Sequence, residues 1–127
     1  MRHLQFADLT RRISFGARIA GWFLAAAIVV LSLVPADLRP ETDLPHNVEH
    51  FGIFCATGLA FAVGYNLRRD LLAALLVAFA AGVEIAQLFA PGRHSRLSDF
   101  VVDALALLMG VFVVLFIERP WGHRWGR

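Results

Sequence analysis

The chain has 127 residues, of which 58% are hydrophobic and 17% charged, and its mean hydropathy is +0.63; a soluble domain usually holds about 45–50% apolar residues. The net charge of +2 rests on arginine alone. The arginines sit scattered at segment ends rather than in a stripe, which argues against nucleic-acid binding, and the single cysteine, Cys55, excludes an internal disulfide.

Residues 1–15 mix charge with Phe6, Leu9 and Ile13 on one helical face, the pattern of a short interfacial helix. A first membrane span is expected over 17–34, ending at Pro35. Thr10-Arg11-Arg12 weakly resembles a twin-arginine export signal, but no A-x-A site follows Val34 and further spans come after it, so a cleaved signal is not expected. The stretch 35–47 holds Pro35, Pro40 and Pro45 among acids and reads as a loop, with Pro45 suited to the first turn of a new helix. A second span follows over 48–65, a tight basic turn over 66–70, and a third span over 71–90, broken by Pro91-Gly92. Ser95 or Ser98 is placed to cap a fourth span over 98–117. The tail, with Arg119, Trp121, Trp125 and Arg127, has the aromatic and basic character of an interface anchor.

These elements predict a single all-α domain, 1–127, that is an integral membrane four-helix bundle. Arg2, Arg11, Arg12, Arg18, Arg68, Arg69, Arg119, Arg124 and Arg127 fall on one side, and Arg39, Arg93 and Arg96 on the other. Nine against three places the N-terminus and the C-terminus in the cytoplasm. Small-x-x-x-small pairs (Ala60 with Gly64, Ala78 with Gly82, Ala106 with Gly110) predict close helix approach.

The same topology carries the ionisable groups of three spans to the outer face. Glu84 and Gln87 share a helix face three positions apart. Each ionisable group within hydrocarbon costs on the order of 2.5–3.5 kcal/mol on insertion scales, so such residues mark candidate sites. Asp99 suits the N-terminal dipole of the fourth span, whereas Asp103, four residues on, lies about one turn deeper. His46 and His50 are spaced i, i+4, and His50 at this depth is a candidate general base, metal ligand or carboxylate partner. Arg93, His94 and Arg96 read either as a loop meeting lipid headgroups or as an anion clamp. His50 with Glu84, Asp99 and Asp103 offers donors for a hard divalent ion, but an unmetallated polar pocket ranks above it, and no metal or cofactor is assigned.

His50-Phe51-Gly52-Ile53-Phe54, the spacing Glu84-x-x-Gln87-x-Phe89-x-Pro91-Gly92-Arg93, and Ser95 through Asp99 to Gly110 resemble the VanZ-like family of small bacterial membrane proteins, over about residues 44–115. Three departures from the family pattern are Asp103 where Asn is usual, Ala106 where Gly is usual, and Asn47-Val48 in place of an Asp-Lys pair. The resemblance implies a multi-pass protein of the bacterial inner membrane, acting near lipids or cell-envelope precursors, in a family named for resistance to the glycopeptide teicoplanin. It carries onto His50, Glu84, Gln87, Arg93, Ser95 and Asp99. The expected activity is binding or modulation of a lipid-linked envelope precursor or a lipoglycopeptide. Catalytic roles are expected for His50, Glu84 and Asp99, and ligand-binding roles for Gln87, Arg93, Ser95 and Asp103. The alternative is an enzyme acting on lipid-linked anionic substrates through the His, Glu and Asp groups. A proton-coupled carrier ranks below both, because no polar residue continues the path through the cytoplasmic half of spans two to four. Membrane lipids are the remaining expected partners.

Overall fold

In a computed structural model, residues 2–38, 43, 45–90 and 96–122 are described, with the side chains of 2–4, 36, 46 and 120–122 left aside. They form α1 (Arg2–Leu33), a single 3₁₀ turn (Ala36–Leu38), α2 (His46–Gly64), α3 (Arg69–Gln87) and α4 (Leu97–Gly122). The all-α expectation and its four helices are observed. Three helical segments, Gln5–Leu33, Arg69–Gln87 and Leu97–Arg119, are long and apolar enough to cross a membrane. The fourth helix, α2, opens with His46, Asn47, Glu49 and His50, which dilutes its hydropathy.

The element boundaries differ from the expected ones for local reasons. No break separates an interfacial helix from the first span: α1 runs unbroken for 32 residues, about 48 Å at 1.5 Å per residue against a hydrocarbon core of about 30 Å. Nothing between Arg2 and Leu33 is a strong breaker, and the exposed first half is helped by an Arg12–Asp8 ion pair at 3.0 Å and a Thr10 hydroxyl donating to the Phe6 carbonyl at 2.9 Å. Pro45 stands just outside α2 rather than in its first turn, and its carbonyl accepts the Val48 N–H at 2.9 Å. α3 starts two residues earlier than expected, because the Arg68 carbonyl accepts the Leu72 N–H at 2.9 Å, and it ends at Gln87 in three tight turns through Ala90. Ser98 does not cap α4. It lies inside the first turn, and the Arg96 carbonyl takes the Asp99 and Phe100 N–H groups at 2.9 and 3.3 Å. Ser95 lies outside the described residues.

Consecutive helices run antiparallel. α2 is the hub, packed most extensively against α4 and α1, while α3 leans on α4 and barely meets α2. The core is Ile28, Phe54, Leu72, Leu76, Ala80, Val83, Leu107 and Val111 with their neighbours. Outward, Phe23, Phe89, Phe112, Phe116 and Ile117 are all more than half exposed, far more apolar surface than a water-soluble monomer tolerates and suited to lipid.

The α2–α4 contact depends on missing side chains. A Cβ on Gly58 would collide with the Leu107 carbonyl oxygen and sit 2.8 Å from its carbon; one on Gly110 would meet the Cys55 carbonyl oxygen and lie 2.5 Å from the Leu59 nitrogen. Two of the three small-residue pairs do lie at close approaches. Ala106 is fully buried beside Gly110, and Gly64 lies against Arg18, with its would-be Cβ 3.0 Å from the Arg18 nitrogen. The third pair is corrected, since Gly82 faces open space. Gly58, not singled out by the sequence reading, takes that place; it too heads a small-x-x-x-small pair, with Ala62.

Candidate functional site: a polar layer at one end of the bundle

The end where α2 and α4 begin and α1 and α3 finish gathers most of the buried polar side chains. Counted from the helix ends at 1.5 Å per residue, His50 lies about 6 Å into α2, Asp103 about 9 Å into α4 and Glu84 about 4.5 Å inside α3. Glu84, Gln87, Asp103 and Ser32 are buried, with Asp103 only 2% exposed.

His50 and Asp103 form the centre. His50 Nδ1 lies 3.6 Å from Asp103 Oδ1, within ion-pair reach but beyond the usual 2.7–3.2 Å of an N–H···O hydrogen bond. The imidazole stacks on Phe54 at 6.0 Å between ring centres, and Phe54 is itself buried, so the ring is held between an aromatic face and a carboxylate. A carboxylate facing Nδ1 orients the ring and leaves Nε2 as the nitrogen turned away from it, the arrangement used in general-base catalysis. Among the described residues, the second Asp103 oxygen, Oδ2, is buried and accepts no hydrogen bond. Thr57, equally buried, donates to the Ile53 carbonyl at 2.7 Å within its own helix.

Glu84 opens on a different surface. With Ala81 and Ile85 of α3, Arg96 just before α4, and Leu97 and Phe100 of α4, it lines a shallow opening of about 280 Å³. A guanidinium and a carboxylate therefore border one cleft.

The predicted site residues are thus distributed unevenly. His50, Glu84, Gln87 and Asp103 reach the same end of the bundle. Asp99 does not join the buried groups; it is exposed in the first turn of α4, where Ser98 Oγ donates to its Oδ1 at 3.2 Å, so the buried carboxylate beside His50 is Asp103. Arg93 and Ser95, and with them His94, lie outside the described residues, as does the side chain of His46. The described arginine at the opening is Arg96. Among the described residues no group of three or more His, Cys, Asp or Glu side chains is arranged to hold a metal ion.

The opposite end holds a cluster that the sequence reading took only as orienting charge. Arg18 Nε donates to the Gly64 carbonyl at 2.6 Å, and its guanidinium stands 4.9 Å from the Tyr65 ring centre. Arg69 donates to the Ala62 carbonyl at 2.8 Å and to Glu118 at 2.9 Å. Two arginines from two other helices therefore supply donors to the unsatisfied last turn of α2 and place positive charge at the negative end of its dipole. Trp22 Nε1 donates to the Tyr65 hydroxyl at 2.8 Å beside them.

The fold and its apolar helices define a helical membrane protein. No protein-family profile matches the chain, and no solved structure matches it. It is similar to citrate exporter 1 of Aspergillus niger, at 27% identity over 114 residues, covering 82% of this chain and 22% of the exporter. The chain thus spans less than a quarter of the length of that relative.

Proposed function

We propose that the polar layer at the His50 end binds or modulates an anionic cell-envelope molecule, lipid-linked or glycopeptide in type, in the bacterial inner membrane. Both termini then face the cytoplasm and the layer opens to the outer leaflet. The observation that carries this is the burial of Glu84 and Asp103, from separate helices, at one end of the bundle, Asp103 beside His50 and Glu84 on the cleft that Arg96 borders. Buried carboxylates in lipid are costly enough to mark ligand sites, and Arg96 supplies the fork suited to a phosphate or carboxylate. The resemblance of His50, Glu84, Gln87 and Asp99 to the VanZ-like pattern supports the same class of molecule and a link to teicoplanin resistance.

The His50–Asp103 contact favours a second reading, an enzyme on the same class of substrate, with His50 as general base and Asp103 orienting it. An export role in the manner of the citrate exporter has less behind it. The buried polar side chains among the described residues, Ser32, Glu84, Gln87 and Asp103, crowd one half of the bundle, with Thr57 alone near the middle, and a carrier needs polar groups along its whole path.

Purified wild type, Glu84→Gln and His50→Ala, tested against a polyprenyl-diphosphate-linked sugar and against teicoplanin, separate these readings. Binding without turnover in the wild type, weakened in both variants, supports a binding factor. Turnover lost with binding kept supports the enzyme. Unchanged binding and no turnover in every form, with the variants only less stable, refutes both.

A further inference from the structure

We infer that the groove between α1, α2 and α3 at the Arg18 end is a binding site for an anionic phospholipid. The groove, about 360 Å³, is lined by Trp22, Phe61, Tyr65, Leu72, Leu75 and Phe79 among others. It exists because α1 and α3 scarcely touch. Leu75 and Trp22 are more than half exposed along it, so it is open sideways to lipid. From Arg69 to Phe79 it descends about 15 Å at 1.5 Å per residue, half of a hydrocarbon core of about 30 Å, which is the depth of one leaflet's acyl chain.

Charge at the mouth selects the headgroup. Arg68 is matched by Asp70 at 2.6 Å and Arg69 by Glu118 at 2.9 Å. Arg18 is exposed; its contacts among the described residues are the Gly64 carbonyl and the Tyr65 ring face, with no carboxylate. Arg11 lies seven positions earlier on the same side of α1 and is also exposed. The Tyr65 hydroxyl accepts the Trp22 N–H and so keeps its own proton to donate. An unneutralised guanidinium and a phenol above an apolar, leaflet-deep groove match a phosphodiester with a fatty chain, and basic pockets between membrane helices bind such headgroups. This site lies at the far end from the polar layer, so it stands or falls independently of that layer's function.

Native mass spectrometry of protein released from mixed phosphatidylglycerol and phosphatidylcholine nanodiscs tests it. The wild type should retain phosphatidylglycerol selectively. Arg18→Gln should cut that preference about fivefold, the equivalent of about 1 kcal/mol per arginine near the surface. Leu75→Trp, which fills the groove at an exposed position and leaves every charge in place, should abolish retention, with far-UV circular dichroism confirming that it is folded. Equal retention of both lipids by the wild type overturns the proposal. So does undiminished phosphatidylglycerol retention in Leu75→Trp, or loss of a dimer in that variant, which assigns the groove to a second copy of the chain.

Discussion

Glycine-to-alanine substitutions at four positions should divide sharply according to what each new Cβ meets. At Gly58 and Gly110 it meets backbone of the facing helix, the Leu107 carbonyl on one side and the Cys55 carbonyl and Leu59 nitrogen on the other. A backbone obstacle cannot rotate aside, so α2 and α4 must separate along their main contact. Overpacking of this kind costs about 1–3 kcal/mol, and a rigid obstacle puts it at the upper end, about 3. Replacing Gly by Ala in a helix returns about 1 kcal/mol of propensity. The net expectation is a loss of about 2 kcal/mol at either position, roughly thirtyfold in the folding equilibrium at 1.4 kcal/mol per tenfold. Gly52 and Gly82 have nothing within 4 Å of the same atom, so there only the propensity gain remains and the variants should match or exceed wild-type stability. Unfolding in mixed micelles of mild detergent and increasing SDS, followed by circular dichroism, measures all four. If Gly58→Ala unfolds at the same SDS fraction as Gly82→Ala, the close α2–α4 approach is refuted.

Two further outcomes follow from the ends of the bundle. His50→Ala leaves the buried Asp103 carboxylate without the imidazole at 3.6 Å, which costs about 1–3 kcal/mol as for a buried acceptor left without a partner; Asp103→Leu in the same chain should recover more than half of that loss, and additive effects in the double-mutant cycle would show that the two side chains do not interact. At the other end, Arg69→Ala removes donors to the Ala62 carbonyl and to Glu118 and should cost about 1.5–3 kcal/mol, as for hydrogen bonds to a charged group. Glu118→Gln should cost less than about 1 kcal/mol, because its half-exposed pair with Arg69 is screened; equal losses in the two variants would mean that capping of α2 contributes nothing.

The helices were legible because each is an apolar run bounded by proline or arginine, and their depth could be counted residue by residue. That counting brought His50, Glu84, Gln87 and Asp103 to one end. It could not choose between Asp99 and Asp103: both lie on one face at i, i+4, and only the start of α4 at Leu97 and its packing on α2 leave the first exposed and bury the second. Nor could it rank the glycines. The pairs at Gly82 and Gly110 are alike in sequence, and the difference is that α3 lies away from α2 while α4 crosses it. The roles of Arg18 and Arg69 depend on contacts 46 and 7 residues away with carbonyl oxygens, which carry no side-chain signature. Counted as topology signals, these arginines gave a side of the membrane but not the helix end they cap.

The contrast between the two ends bears on whether the polar layer is structural or functional. At the Arg18 end, Arg68 meets Asp70, Arg69 meets Glu118 and Ala62, and Arg18 meets Gly64; groups that only hold helices together are expected to be satisfied in this way. At the His50 end, a fully buried carboxylate meets His50 through one oxygen at a long 3.6 Å, while the other accepts no hydrogen bond among the described residues. An acceptor left in that state costs about 1–3 kcal/mol, so helix adhesion alone is a poor reason to keep Asp103. An apolar residue of similar size would hold α2 to α4 better. Asp103→Leu should therefore raise stability or leave it unchanged while abolishing ligand binding. A large loss of stability in that single variant would return Asp103 to a structural role.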